Sequence, residues 1–165
     1  MDNYFKGTED RPFHLSVGAV IIDRKKRIYC HYFHEFEGVK NVHILMRETI
    51  HPGESLEDAT ERGLFEELGI KAKLITYIGS LVSKFPRGKI WIEKTTIYFL
   101  VELTEINKSL RNPFDKEKDS IIKLIPIDKL MEIMKTQSKN LVRTDLDESK
   151  ILTRAKKYFY KMDLY

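Results

Sequence analysis

The sequence predicts an α+β fold in which a mixed sheet carries helices packed on its faces. Three observations point there: extended apolar runs broken by turns, one well-bounded helix in mid-chain, and an amphipathic helical stretch at the end. With 165 residues, 42% of them apolar, the chain can build one compact core and is too short for two ordinary domains, so residues 1–165 read as a single domain. Eight Gly, five Pro and an 11% aromatic share exclude collagenous, low-complexity and largely disordered chains.

In order along the chain, His14 to Asp23 is rich in Leu, Val, Ala and Ile, and the charged turn Asp23-Arg24-Lys25-Lys26 leads into a second extended run, Arg27 to Phe33. That pattern reads as a hairpin. After Glu35 to Asn41 comes a short strand, Val42 to Met46, and then a polar loop, Arg47 to Gly53. The helix that follows is the best defined. Ser55 caps it with Asp58 three residues on, close to a capping box, and Gly69 ends it. Ala72 to Lys84 and Lys89 to Leu103 read as strands, and Leu100 on the second face of the latter implies that both faces are partly covered. Asn107 to Asp119 is a charged connection, Ile121 to Ile127 a short strand and Asp128 to Lys135 a helix start. A last helix spans about Asp147 to Met162, with Ile151, Leu152, Ala155, Phe159 and Met162 at helical spacing.

The net charge of +4 is small against 29 basic and 25 acidic residues. It leans toward a phosphorylated partner, although lysine-rich surfaces also serve solubility alone. The longest apolar run, Val17 to Ile22, is far too short for a membrane helix, and Met1-Asp2-Asn3-Tyr4 lacks a signal layout. No membrane partner and no secretion are expected. The single cysteine, Cys30, offers neither an internal disulfide nor a cysteine-built metal site, which fits a cytoplasmic setting.

The informative stretch is Gly53-Glu54-Ser55-Leu56-Glu57-Asp58-Ala59-Thr60-Glu61-Arg62-Gly63-Leu64-Phe65-Glu66-Glu67-Leu68-Gly69-Ile70. On a helix, Glu66 and Glu67 lie about 100° apart with Gly63 between them. Two such carboxylates can hold a hard cation if the helix end faces a cleft and another oxygen completes the shell. Glu54 is a candidate for that oxygen or for charge compensation at the helix start, and Arg62, four residues before Glu66, can hold one carboxylate in place. On pattern alone, a Glu-rich amphipathic helix is more often a solvated face than a metal site.

The stretch resembles the Nudix box, G-x5-E-x7-R-E-U-x-E-E-x-G-U, where U is aliphatic. Without gaps, Glu54 matches the first glutamate, Arg62 the arginine, Leu64 the first aliphatic, Glu66-Glu67 the acidic pair and Gly69-Ile70 the closing pair. Two positions depart: Glu48 stands at the opening glycine, and Gly63 stands where a glutamate should follow the arginine. Val17-Gly18-Ala19-Val20-Ile21, Ile44-Leu45-Met46, Lys94-Thr95-Thr96-Ile97-Tyr98-Phe99-Leu100 and Leu124-Ile125-Pro126-Ile127-Asp128-Lys129-Leu130 resemble further family landmarks in the right order. The resemblance implies a Nudix-type α/β/α sandwich with a mixed β-sheet, and a box whose glutamates bind Mg²⁺ or Mn²⁺. It further implies hydrolysis of a nucleoside diphosphate linked to another group, with Glu66, Glu67 and Arg62 catalytic and Glu66, Glu67 and Glu54 on the metal.

Gly63 removes a carboxylate that is usually a direct ligand in that family, so either another oxygen replaces it or the protein binds a nucleotide and hydrolyses it poorly. Candidate replacements are Glu48, Asp115, Glu117 and Asp119, each of which also reads as an ordinary loop charge. For the substrate, Arg47, Arg87, Lys89, Trp91, Lys94 and Tyr98 are the candidates. Lys84, Arg87, Lys89 and Lys94 surround Trp91, a basic and aromatic grouping suited to phosphates and a base. An ordinary hairpin with Trp91 in the core competes with that reading. The stretch around Lys94 to Leu100 looks most like members acting on nucleoside triphosphates or dinucleoside polyphosphates. The five histidines read as structural, with His51 noted for its place inside the box. Modest net charge and the absence of an added RNA-binding motif count against a nucleic-acid partner, and the resemblance leaves room for a homodimer.

Overall fold

The computed structural model describes residues 2–162, so the ends of the expected 1–165 domain and the Met162 side chain lie outside the description. Its elements are β1 (Phe13–Ile21), β2 (Arg27–Phe36), β3 (Val39–Ile44), β4 (Met46–Thr49), α1 (Leu56–Leu68), β5 (Ile70–Arg87), β6 (Ile90–Ile106), β7 (Ile121–Pro126), α2 (Ile127–Leu141) and α3 (Ser149–Met162). Four strands precede α1 where the sequence shows three, because Arg47 to Thr49, expected as loop, pairs with β1.

The strands form two sheets. The first is mixed, in the order β4-β1-β6-β5, and the second is antiparallel, in the order β3-β2-β7. The expected hairpin of the first two strands does not form. Strand β1 pairs antiparallel with β4 and parallel with β6, leaving the single bridge Ile22↔Ile28 to connect it to β2. The turn signal at Asp23 to Lys26 is genuine, since Asp23 accepts from the backbone of Lys25 and Arg27, but the chain leaves that turn into the other sheet.

Both faces of the mixed sheet are buried, as Leu100 suggested. Val20, Tyr98 and Leu100 pack with Ile28, Cys30 and Leu45 against α2 (Leu130, Met134) and α3 (Ile151, Leu152, Ala155). On the other face Val17, Ala19, Ile21, Phe99 and Val101 pack against Met46 and the α1 residues Ala59, Leu64 and Leu68. Alternation along β1 and β6 assigns odd and even positions to the two cores. The result is an α+β sandwich with α1 alone on one side and α2 and α3 on the other.

Helix α1 begins and ends where local chemistry demands. The Ser55 hydroxyl accepts from the Asp58 backbone N–H while the Asp58 carboxylate accepts from the Ser55 N–H, a complete capping box worth about 1 kcal/mol. Gly69 closes it at φ 66°, and a Cβ there would lie 2.1 Å from the Asn107 carbonyl oxygen. No helix among the described residues is long and apolar enough to cross a membrane.

Candidate active site

Where α1, β4 and the connection after β6 meet, the side chains organise around Arg62. Its Nε donates to Glu54 Oε1 at 2.6 Å, and its Nη2 donates to Glu54 Oε2 at 2.9 Å and to the Thr49 carbonyl at 2.8 Å. Nη1 lies 3.4 Å from Glu48 Oε1 and 3.5 Å from Glu66 Oε2. One guanidinium thus fixes a carboxylate from the loop, one from β4 and one from its own helix, using the planar fork that suits carboxylates. The paired hydrogen bonds from Arg62 hold the Glu54 carboxyl down at about 2. With both oxygens so engaged, Glu54 positions Arg62 and stands outside the carboxylate group described next.

Glu48, Glu66 and Asp115 present carboxylate oxygens that all lie within 4.8 Å of one another. Three segments remote in sequence supply them, and the connection is fastened to do so. The Asn112 N–H donates to the Glu66 carbonyl at 2.8 Å and Arg111 Nε donates to the Glu67 carbonyl at 2.7 Å. These donors satisfy carbonyls at the end of α1, whose last turn carries no basic residue of its own. Arg111 also donates to the carbonyls of Glu117 and Ser120, which folds the connection back over the helix end.

Glu67 is buried beside this group. His31 Nε2 lies 2.8 Å from Glu67 Oε2, and His31 Nδ1 lies 2.7 Å from Ser120 Oγ. Burial drives the pair apart: the imidazole is pushed down to about 3, and the Glu67 carboxyl rises well above the usual carboxylate range. His31 is therefore neutral and orients Glu67, as metal- and substrate-facing carboxylates are commonly oriented from behind. Glu67 Oε1 makes no hydrogen bond among the described residues, and Glu67 lines the cleft.

The cleft itself encloses about 540 Å³, a size suited to a small-molecule ligand. Its lining mixes acidic residues, among them Glu48, Glu67, Asp115 and Glu117, with basic ones, among them Arg47, Arg87 and Lys94. Burial, then the neighbouring Arg47, pushes the Lys94 ammonium down to about 7. Burial and the Asp115 carboxylate push Glu117 up to about 8. Phe114, almost fully exposed, and the buried Phe85 also line the cleft.

Of the expected substrate residues, Arg47, Arg87 and Lys94 line this cleft, whereas Lys89, Trp91 and Tyr98 do not. Trp91 is 61% exposed on the β5–β6 hairpin, neither in the cleft nor in the core. Tyr98 is 1% exposed beneath the sheet, where Gly18 leaves room for its ring and its hydroxyl donates to Glu148 Oε1 at 2.5 Å. Asp119 is exposed and outside the carboxylate group. His51 is exposed too, its backbone N–H given to Glu54 Oε2 at 2.8 Å. Sequence reasoning missed His31, Arg111 and Phe114. At the end of a strand, three residues from His34 and without a clear third ligand, His31 reads as structural, and nothing local shows its partner on a helix.

Comparison with known proteins bears on the family and the fold. The family profile of the NUDIX domain matches residues 12–145. No curated protein sequence matches the chain. Among solved structures, a NUDIX hydrolase from Nitrosomonas europaea superposes with a TM-score of 0.60 at 14% identity, covering 89% of this chain and 88% of that one.

Proposed function

Because the chain belongs to the NUDIX domain family, we propose that it is a metal-dependent pyrophosphohydrolase cleaving a nucleoside diphosphate linked to another group, with nucleoside triphosphates and dinucleoside polyphosphates as its substrates. The observation that carries this reading is the convergence of Glu48, Glu66 and Asp115 carboxylate oxygens within 4.8 Å of one another, two of them on a cleft that also holds Glu67, Arg47, Arg87 and Lys94. An all-carboxylate donor set suits Mg²⁺ or Mn²⁺, which prefer oxygen, and the Arg62 fork fixes two of the donors before any ligand arrives.

A divalent ion held there supplies Lewis acidity toward the phosphate oxygens and lowers the pKa of water. The chain's own groups do the rest. Arg47, Arg87 and Lys94 line the cleft and balance the charge of a polyphosphate, holding the anhydride there. Glu66 and Glu67 present carboxylate from the helix end, with Arg62 and His31 setting their geometry. Glu117, raised to about 8, can take a proton from water only once ionised at alkaline pH, and Phe114 offers an aromatic face for a base. Buried, unpaired Cys30 accords with a cytoplasmic setting.

The test is hydrolysis with Mg²⁺ or Mn²⁺ on a panel of nucleoside triphosphates, dinucleoside polyphosphates and nucleotide sugars. We expect turnover of the first two classes that drops by at least about 100-fold in Glu67→Gln. A native protein that binds these ligands and releases no product at any pH would replace the hydrolase with a binding module.

A further inference from the structure

We propose that Glu48 is the metal-holding carboxylate that α1 lacks, delivered from β4 into the volume left by Gly63, so that the two departures from the box are one compensated exchange. The inference rests on the metal-dependent reading above and assigns that site a residue from outside the helix.

In sequence, glycine and glutamate have traded places between positions 48 and 63. In space, those positions face each other. A Cβ built on Gly63 would lie 2.6 Å from Glu48 Cβ, 3.2 Å from Glu48 Cγ and 2.9 Å from Met46 Sδ. Contacts that short do not occur between real side chains, so the stem of Glu48 and any side chain at 63 compete for one volume. Glu48 has no room to slide away. Its backbone is registered opposite Val17 of β1, and its Oε1 accepts from the Thr49 N–H at 2.9 Å. Helix α1 is equally fixed, with Ala59, Leu64 and Leu68 in the core.

The exchange also preserves chemistry. Only a residue without a side chain at 63 lets the Glu48 carboxylate pass the helix and join Glu66 and Asp115. The number of carboxylates is therefore what a glutamate at 63 and a glycine at 48 would provide, with the direction of approach reversed. A glycine in mid-helix costs helix stability relative to alanine, and here it has a steric reason to be present.

The experiment uses Mn²⁺ as the probe, titrated by electron paramagnetic resonance against the native protein, Glu48→Gln, Glu48→Gly, Gly63→Glu and the double variant Glu48→Gly/Gly63→Glu. Melting temperatures are measured without metal. We expect Mn²⁺ affinity to fall about 10- to 100-fold in Glu48→Gln and Glu48→Gly, with the melting temperature of Glu48→Gln unchanged. Gly63→Glu alone should melt lower than native. The double variant should regain native melting and Mn²⁺ affinity to within about threefold. Native-like Mn²⁺ binding by Glu48→Gln, or a double variant as weak as Glu48→Gly, overturns the exchange. Pairwise rescue of Mn²⁺ binding in a protein that hydrolyses nothing would uphold the exchange and sink the hydrolase. Hydrolysis untouched by Glu48→Gln would do the reverse.

Discussion

Burial retunes Lys94, a side chain of the cleft proposed to take a charged ligand. With its ammonium near 7, it carries full charge only below neutrality, and a bound phosphate would pull the proton back on. Affinity for a nucleotide should therefore weaken as pH rises from 7.5 to 9, on the order of tenfold, because binding must then take up a proton. Lys94→Arg, charged throughout, should flatten that dependence in calorimetric titrations at several pH values; an equally steep profile in the variant would assign the proton elsewhere. Lys94 was legible in the sequence as a basic residue on a strand of the cleft, and so was Arg87. Trp91 and Tyr98 were not. Both are amphipathic aromatics on one strand, and their fates turn on what sits opposite. Tyr98 sinks over Gly18 of the neighbouring strand, whereas Trp91 lies beyond the reach of either core. A partner brought in by sheet pairing leaves no mark in the local sequence.

Helix α1 was legible from end to end, because Ser55, Asp58 and Gly69 specify its limits through contacts within a few residues. The fastening of its far end was not, since Arg111 reaches it from a connection some forty residues on. That arginine serves two ends at once: it caps the Glu67 carbonyl of the helix and holds the loop that presents Asp115. Arg111→Gln should lower stability by about 1–3 kcal/mol through the hydrogen bonds lost, which thermal denaturation would read. It should also weaken Mn²⁺ binding by about tenfold, as Asp115 drifts from Glu66. Full Mn²⁺ affinity in the variant would mean that Asp115 is held by its own turn alone, where it accepts from the Glu117 N–H.

Across the whole molecule, two sheets are joined less by strands than by side chains that cross between layers. The sequence suggested a hairpin at Asp23 to Lys26 because a turn is a local signal, while the choice of sheet depends on the parallel pairing of β1 with β6, some eighty residues away. Two buried histidines fasten segments remote in sequence. His31 links β2 to α1, and His14 takes the Gly7 N–H on Nδ1 and meets Thr49 through Nε2. Burial pushes each down to about 3 from an unfolded value near 6.5. The unfolded chain therefore binds more protons between those limits, and the stability contributed by the neutral rings is complete above 6.5 and lost as pH falls toward 3. Between pH 7.5 and 5.5 the loss should be about 1.4 kcal/mol for each ring, or about 5–10 °C in melting temperature for the pair. His14→Gln should remove about half of that drop; an unchanged drop would place the acid sensitivity in other groups. The facing of Glu48 and Gly63 bears, finally, on the ancestry of the chain. A direct single exchange between the two arrangements passes either through a glutamate at both positions, which crowds one volume and destabilises the fold, or through a glycine at both, which packs freely but is one carboxylate short. The second is the more open path, so such an intermediate would fold well while holding the proposed metal less tightly until a carboxylate returns from the opposite wall.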